Sequence, residues 1–342
     1  MGSKKYWKSN LSDIDETISK IERGRVIKTI KSAGNRDIYL VRYGNKNNIK
    51  RTANLSSACG CHNLMCYADK TAKDYVPTLM LVGATHGAEF EGTVAILNLI
   101  NILETGKDFG GNEFPEINKM SEKVNFLLIP CLNPDGRARV PYDSVSGITF
   151  DKFRYYAQGT WKDGSLCGWP DCKKIHPILE AAGHLGAYFN DDGINIMHDD
   201  FFSPMAAETK FVLDIADEYV PDLTVLLHGG TNSPNMICQP SSVPYCFKDS
   251  VHSILVAFAE SCKDRGLSEV PVFDVNYKDY YFDQTTAITL KCGEPCFVYE
   301  SNQGLDAEGL CLTEEEIYKT HMTLFESCIK YTISSKYKEK AV

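Results

Sequence analysis

The stretch Leu79-Met80-Leu81-Val82-Gly83-Ala84-Thr85-His86-Gly87-Ala88-Glu89 places an apolar run directly before a histidine and a carboxylate. Such a run is typical of a buried strand, and a strand fixes the position of the residues that follow it. The turn after the strand can fold Glu89 back toward His86, so that an imidazole nitrogen and a carboxylate oxygen reach one cation. Both ligand types suit Zn²⁺. The stretch therefore predicts a strand that ends at a metal site.

Other apolar runs end in polar residues of the same kind. The run 223–227 precedes His228, the run 124–131 precedes the turn Asn133-Pro134-Asp135-Gly136, and the run 295–299 precedes Glu300. A polar residue after a buried strand is often only a turn residue, and each position taken singly has that interpretation. Sites in open α/β sheets form at the carboxyl ends of parallel strands. Taken together, these positions favour one site.

The motifs His86-Gly87-Ala88-Glu89, Asn133-Pro134-Asp135-Gly136, His228 and Glu300, in this order, resemble the zinc carboxypeptidase family of the metallocarboxypeptidase A-like type. The resemblance runs over most of the chain and includes a helix candidate near 12–21 and a strand pair around 25–29 and 37–43. It implies an α/β fold of three layers, α/β/α, with a mixed, largely parallel central sheet. We expect residues 1–342 to form a single catalytic domain.

The resemblance also implies a zinc site and a mechanism. One Zn²⁺ per chain would be held by His86, Glu89 and His228, with water in the fourth position. Bound zinc lowers the pKa of that water and polarises a carbonyl oxygen. Glu300 would accept the proton of the water and later deliver it to the leaving amine. Asn195 stands where the family has an aspartate that orients the first zinc-binding histidine, and its oxygen can accept the same hydrogen bond.

The family also supplies an arginine for the developing oxyanion and a tyrosine for the substrate. Arg137 and Arg139 follow the Asn-Pro-Asp-Gly turn at once, whereas Arg154 lies further downstream, as the family's arginine does. Arg154 is therefore the predicted oxyanion residue, and Arg137 is a predicted substrate contact. The tyrosine precedes the catalytic glutamate, which indicates Tyr281 within the aromatic run 277–282.

One segment departs from the family pattern. The usual Gly-x-Asp-x-Asn-Arg-Asn becomes Gly193-Ile194-Asn195-Ile196-Met197-His198-Asp199, so that Met197 and His198 replace the pair that binds a terminal carboxylate. Neither offers the planar guanidinium fork, and Asp199 and Asp200 would repel an anion. We therefore hypothesise an atypical, bacterial-type member whose substrate presents a neutral or cationic end to His198, and not a standard free C-terminus. The alternative is that these residues cap a loop and that another basic residue binds the carboxylate.

The composition limits the partners and the location. With 342 residues, 43% of them apolar, the chain can bury a large core. A net charge of −9 gives no basic surface for nucleic acid or an anionic membrane. No apolar run approaches the roughly 20 residues of a membrane span, and no signal sequence follows Met1, which predicts a cytoplasmic protein. Met1-Gly2-Ser3 leaves open that a signal has been replaced.

Thirteen cysteines, an odd number, favour reduced thiols. Two groups lie in loop-like sequence, namely Cys59, Cys61 and Cys66, and the pair Cys167 and Cys172. A second, structural zinc, disulfides and free thiols all remain open for these groups.

Two local patterns concern surface elements. The polar stretch 106–121 predicts a surface loop. Thr313-Glu314-Glu315-Glu316 is a capping-box pattern, and apolar residues then recur at helical spacing, which predicts an amphipathic C-terminal helix.

The sequence lacks the motifs of two other common hydrolase classes. The chain has no Gly-x-Ser-x-Gly elbow and no His-Glu-x-x-His helix. The sequence thus predicts a zinc-dependent hydrolase of a peptide or small amide. One alternative is a zinc-dependent deacylase of a small N-acyl compound, and another is a binding protein that kept the fold without turnover.

Overall fold

The structure is a computed structural model and describes residues 5–275 and 282–335. The strands within these ranges are β1 (Arg25–Lys31), β2 (Asp37–Tyr43), β3 (Thr78–Gly83), β4 (Asn125–Ile129), β5 (Gly159–Trp161), β6 (Ala182–Leu185), β7 (Leu223–Gly229), β8 (Met236–Cys238) and β9 (Cys296–Ser301). The helices are α1 (Leu11–Ser19), α2 (Leu55–Gly60), α3 (Glu91–Thr105), α4 (Pro115–Ser121), α5 (Pro134–Arg139), α6 (Phe150–Ala157), α7 (Ala207–Tyr219), α8 (Tyr245–Asp264), α9 (Gln284–Cys292) and α10 (Glu314–Ser335).

The main sheet has seven strands in the order β1-β2-β4-β3-β7-β9-β8. Its centre is parallel, because β3 pairs in parallel with β4 and with β7, and β7 pairs in parallel with β9. The flanking strands β1, β2 and β8 run antiparallel to their neighbours. The predicted α/β class with a mixed, largely parallel sheet is confirmed. The apolar runs that ended in His86, Asn133, His228 and Glu300 are the four central strands.

Helices cover both faces of this sheet. Along β3, Leu79 and Leu81 join the core cluster that contains residues of α3, α8 and α10. Met80 and Val82 point the other way, into the cluster that contains residues of α7 and α9. A strand buried on both faces reads as a continuous apolar run, which is why no polar residue interrupts β3. The layers are therefore helix, sheet and helix.

A separate apolar cluster lies in the long segment between α5 and α7. Phe153 of α6, Cys172 and Phe189 are buried there together with Phe90, which precedes α3. The strands β5 and β6 form a two-stranded sheet in the same segment. Through Phe90 this cluster is joined to the carboxyl end of β3, and the segment is thereby fixed beside the ends of the central strands.

The structure corrects the predicted loop at 106–121 and contains the predicted C-terminal helix. The stretch 106–121 is not all loop, because it contains helix α4, with Pro115 at its first turn, a position that proline favours. The amphipathic C-terminal helix is present as α10, and the backbone N–H of Glu316 donates to Thr313 Oγ1 at 3.3 Å. Over the described ranges, none of the helices combines the length and the apolar character that crossing a bilayer requires.

Candidate metal centre and cleft

His86, Glu89 and His228 meet at the carboxyl ends of β3 and β7. Nδ1 of His86 lies 3.1 Å from both carboxylate oxygens of Glu89, and Nδ1 of His228 lies 2.9 Å from Glu89 Oε2. All three side chains are buried, and one ligand atom from each lies within 4.8 Å of the others. Two imidazole nitrogens and one carboxylate oxygen match the ligand set of a catalytic zinc with an open position. These residues fit the Zn²⁺ that the sequence predicted.

Glu89 changes the pKa of both histidines, and both histidines change the pKa of Glu89. Burial alone would raise the pKa of Glu89, but the two imidazoles hold it well below the ordinary value. Burial lowers the pKa of His86. Burial also acts to lower the pKa of His228, but the hydrogen bond and charge of Glu89 raise it above the ordinary value. The carboxylate is therefore ionised, as a metal ligand must be.

The ring of His86 is held on two sides. Its Nε2 lies 3.2 Å from Asn195 Oδ1, an oxygen that also accepts from the backbone N–H of Met197 at 3.1 Å. Because an amide oxygen only accepts, His86 must carry its proton on Nε2, which leaves Nδ1 free to bind a metal. Tyr188 stacks on the same ring, with centroids 4.0 Å apart and planes at 6°. The predicted contact between Asn195 and His86 is thus present.

The turn after β3, which positions His86, has a residue other than glycine with a positive φ angle. Ala84 has φ of 47°, the left-handed region that residues other than glycine rarely adopt. Gly87 packs so closely on helix α5 that a Cβ atom there would lie 2.1 Å from the backbone nitrogen of Arg137. Only glycine allows this approach. The Asn-Pro-Asp-Gly turn thus supports the metal ligands through backbone packing.

Glu300 lies beside His228, because the two residues are partners in the β7–β9 pairing. Its side chain lines the same cavity as the three metal-binding residues. Burial raises the pKa of Glu300 to about 7, and the Glu89 carboxylate adds to the rise against the charge of His228. A carboxyl group with this pKa can both take up and release a proton near neutral pH.

The cavity at this site has a volume of about 540 Å³. One wall is apolar and comes from β8 and β9, with Met236, Cys238 and Val298. The remaining lining side chains are mostly polar or aromatic: Phe150, Arg154, Gln158, Trp169, Lys173, Tyr188, His198, Thr231, Ser233, Gln239, Asp283 and Thr285.

The two predicted arginines have different positions. Arg154 lines the cavity from α6, with Nη1 3.8 Å from the exposed carboxylate of Asp151. Arg137 is buried and does not line the cavity. Its guanidinium donates to the carbonyl oxygens of Ser9, Val140 and Tyr142 and to Asn10 Oδ1, at 2.7–2.9 Å. The predicted substrate contact of Arg137 is therefore corrected: its donors tie the N-terminal segment to the end of α5.

Part of the segment that departs from the family pattern lines the cavity, but Asp199 and Asp200 do not. Met197 and His198 both line the cavity. Burial lowers the pKa of His198 to about 3, so the ring is neutral. Asp199 accepts from the backbone N–H groups of Asp200 and Ala206 at 2.7 and 3.0 Å, and Asp200 accepts from that of Phe202 at 3.0 Å. Both carboxylates accept hydrogen bonds from their own loop, and neither lines the cavity.

Among the aromatic residues between the motifs, Trp169 lines the cleft and Tyr155 does not. Tyr155 packs in a cluster with Tyr156 and His184. Tyr281 lies outside the residues that the structure describes, and its role stays a prediction. Phe282, at the end of the same aromatic run, stacks on Phe202.

Lys173 and Tyr188 are among the side chains at the cleft that sequence reasoning missed. Both come from the long segment between α5 and α7, where no motif marked them. Tyr188 reaches the metal centre because that segment folds back against α5, and the backbone N–H of Gly87 donates to Ala187 O at 2.8 Å. Only long-range packing brings these residues to the site.

The cysteine groups form no second metal site in the part of the chain that the structure describes. There, the group of His86, Glu89 and His228 is the one set with ligand atoms close enough to hold an ion. Cys59 and Cys61 are exposed, whereas Cys167 and Cys172 are buried in the apolar cluster around Phe153.

Comparison with known proteins gives a family match over part of the chain and a similarity of fold. Residues 14–171 match the family model described as zinc carboxypeptidase. The fold is similar to that of a metallo-carboxypeptidase from Burkholderia cenocepacia, with a TM-score of 0.57 and 14% identity over 94% of this chain and 67% of the other. It is also similar to carboxypeptidase A from Helicoverpa armigera, with a TM-score of 0.56 and 15% identity over 97% and 74%. A metallo-carboxypeptidase from Pseudomonas aeruginosa is similar with a TM-score of 0.53 and 13% identity, over 93% of this chain and 66% of the other. No curated protein matches the sequence.

Proposed function

Because residues 14–171 match the zinc carboxypeptidase family model, we propose that the chain is a zinc-dependent peptide hydrolase in which His86, Glu89 and His228 hold the zinc and Glu300 is the catalytic base and acid. The observation that carries this proposal is the buried donor group with the Glu300 carboxylate paired beside His228 in one cavity. When bound, zinc lowers the pKa of its water and polarises a carbonyl group.

Glu300 has the position and the proton affinity for this role. It takes a proton from water onto a carboxylate oxygen and returns it to the leaving nitrogen. Burial and the neighbouring Glu89 carboxylate raise the pKa of Glu300 above its ordinary value, which favours uptake of a proton by this side chain. Arg154, which lines the cavity, stabilises the negative charge that develops on the carbonyl oxygen. Asn195 keeps His86 in the tautomer that presents Nδ1.

The substrate is a peptide or a small amide. A cavity of about 540 Å³ accommodates one or two residues, and the apolar wall of Met236, Cys238 and Val298 suits a hydrocarbon side chain. The usual Asn-Arg pair for a terminal carboxylate is absent, since Met197 and His198 stand in its place. A standard free C-terminus would therefore have to be recognised by other residues.

The test is the variant Glu300→Gln, which keeps the shape of the side chain and removes the proton acceptor. We expect kcat to fall by about 10²–10⁴ on the best substrate of a panel of peptides and N-acyl amino acids. Zinc content, measured by plasma mass spectrometry, should stay at the wild-type level. The exposed Glu308→Gln is the matched control.

The outcomes separate the alternatives. Unchanged turnover in Glu300→Gln would remove Glu300 from the mechanism. Cleavage restricted to N-acyl amino acids would favour a deacylase over a peptidase. Loss of zinc from wild-type protein after zinc has been supplied would overturn the assignment of the metal ligands.

A further inference from the structure

Lys173 brings a positive charge into the cleft from an element that no family motif includes. It ends the short turn Asp171–Lys173, whose backbone is held by N–H bonds from Cys172 to Gly168 O at 2.8 Å and from Lys173 to Pro170 O at 3.0 Å. The neighbouring Cys172 is completely buried in the apolar cluster. The main chain is therefore anchored, and the lysine side chain extends from it to line the cavity.

Within residues 5–275 and 282–335, the ammonium group has no carboxylate partner of its own. Among the described residues, no Asp or Glu oxygen forms an ion pair with Lys173 within 4.0 Å, whereas Lys174 pairs with Asp171 at 2.9 Å. The contact that Lys173 does make is with the face of Trp169, 4.8 Å from the ring centroid. Burial lowers the pKa of Lys173, and electrostatic interactions with Cys172, Asp283 and Glu300 oppose that fall.

Two of the acidic groups whose charges act on Lys173, Asp283 and Glu89, already have hydrogen-bond partners. Asp283 begins α9, and its carboxylate accepts from Thr285 Oγ1 at 2.6 Å and from the backbone N–H of Thr286 at 3.1 Å. Glu89 is shared between the two histidines. A partly buried cation that forms no close ion pair can form a charge-assisted hydrogen bond with an anion that a ligand brings.

The other candidates for binding an anion are less suitable. Met197 is apolar, and His198 is neutral because burial lowers its pKa to about 3. Arg154 faces Asp151 and lies 5.7 Å from the ring centroid of Phe150. Among the described residues, Lys173 is thus a cation of the cleft without an ion-pair partner within 4.0 Å.

We propose that Lys173 binds a carboxylate of the substrate and replaces, from a different loop, the Asn-Arg pair that this chain lacks. The proposal rests on the hydrolase function above. The carboxylate is either the free C-terminus or the side chain of an acidic residue, because an ammonium group binds both as a point charge.

Three peptides with the same scissile bond distinguish these sources: one with a free terminal carboxylate, one with a terminal amide, and one amidated peptide that ends in glutamate. For the carboxylate that Lys173 recognises, Lys173→Met should raise KM by about tenfold to a hundredfold, as expected for a lost charge-assisted bond. The kcat value and the cleavage of the neutral amide should change little. Lys173→Arg should restore much of the affinity, and Lys174→Met is the matched control.

A binding measurement keeps the test independent of turnover. Calorimetry with the zinc-loaded Glu300→Gln protein should show the same loss of affinity for the carboxylate peptide when Lys173→Met is added.

An equal effect on all three peptides would mean that Lys173 acts on the chemistry or on the fold, and no effect on any of them would mean that it binds no carboxylate. Either result overturns the proposal. A preference for the neutral amide in wild type would do so too, and would support the neutral end predicted from the sequence. Failure of the hydrolase function would appear separately, as absent cleavage in wild type with binding still measurable.

Discussion

Asn195 shows how one uncharged side chain can prepare a metal ligand. The oxygen of Asn195 accepts from His86 Nε2 and from the backbone N–H of Met197. It therefore fixes the tautomer of the His86 ring and the turn that contains Asn195. An aspartate in this place would also add a negative charge that strengthens the histidine as a ligand. The asparagine keeps the geometry and gives up that charge.

Replacing Asn195 should therefore weaken zinc binding without touching a ligand. We expect Asn195→Ala to lower zinc affinity by about 10- to 100-fold, the usual effect of removing a group that orients a ligand. Competition with a chelator of known affinity measures this directly. Asn195→Asp is the conservative variant and should bind zinc at least as tightly as wild type. If Asn195→Ala binds zinc like wild type, the hydrogen bond to His86 does not prepare the site.

The elements of the sheet are also tied together at the end opposite the cleft. Lys70 Nζ lies 3.0 Å from Asp222, which precedes β7, and 2.7 Å from Glu294, which precedes β9. Asp222 further accepts from the backbone N–H of Thr78 in β3 at 2.8 Å. Burial alone would lower the pKa of Lys70, but the two carboxylates raise it well above the ordinary value. The stabilisation that it contributes is therefore complete at neutral pH and is lost only as the pH rises through that elevated pKa.

Removing the lysine would take its positive charge away from the buried carboxylates of Asp222 and Glu294. We expect Lys70→Met to lower the free energy of unfolding by about 3–5 kcal/mol, the range for breaking a buried ion pair on one side. Urea unfolding followed by circular dichroism measures the change, and the exposed Lys73→Met is the control. Because the cluster lies away from the cleft, kcat/KM of the folded protein should stay near the wild-type value. A change below about 1 kcal/mol, the range of surface ion pairs, would mean that the cluster is solvated.

How much of this arrangement the sequence predicts depends on the kind of element. The central strands are predictable because burial on both faces demands uninterrupted apolar runs, and their polar ends then identify His86, His228 and Glu300. The choice between Arg137 and Arg154 is not decided by chemistry, since both are arginines, and packing directs Arg137 into the N-terminal segment. Lys173 and Tyr188 are unpredictable because contacts distant in the sequence position their loop. Helix α4 had a local signal, Pro115 at its start, that the polarity of the stretch obscured.

At the scale of the whole molecule, the metal joins parts of the chain that are far apart in sequence. His86 follows β3 and His228 lies in β7, and these strands pair directly in the centre of the sheet. An ion that binds only this native geometry stabilises the folded state as a whole. We infer that residues 1–342 unfold as one domain, so that zinc shifts a single transition.

Removing zinc should therefore lower the melting temperature of the entire protein. With free zinc at about 100 times its Kd, the stabilisation is about 2.7 kcal/mol. For a chain of this size the midpoint should shift upward by several degrees. Calorimetry of the apoprotein, with and without added zinc, measures the shift, and His86→Ala and His228→Ala should each abolish it. Because each variant removes a ligand from a different strand, a shift that survives in either one would place the zinc elsewhere. Two separate transitions, of which zinc moves only one, would show that the chain contains a second unit that folds independently of the sheet.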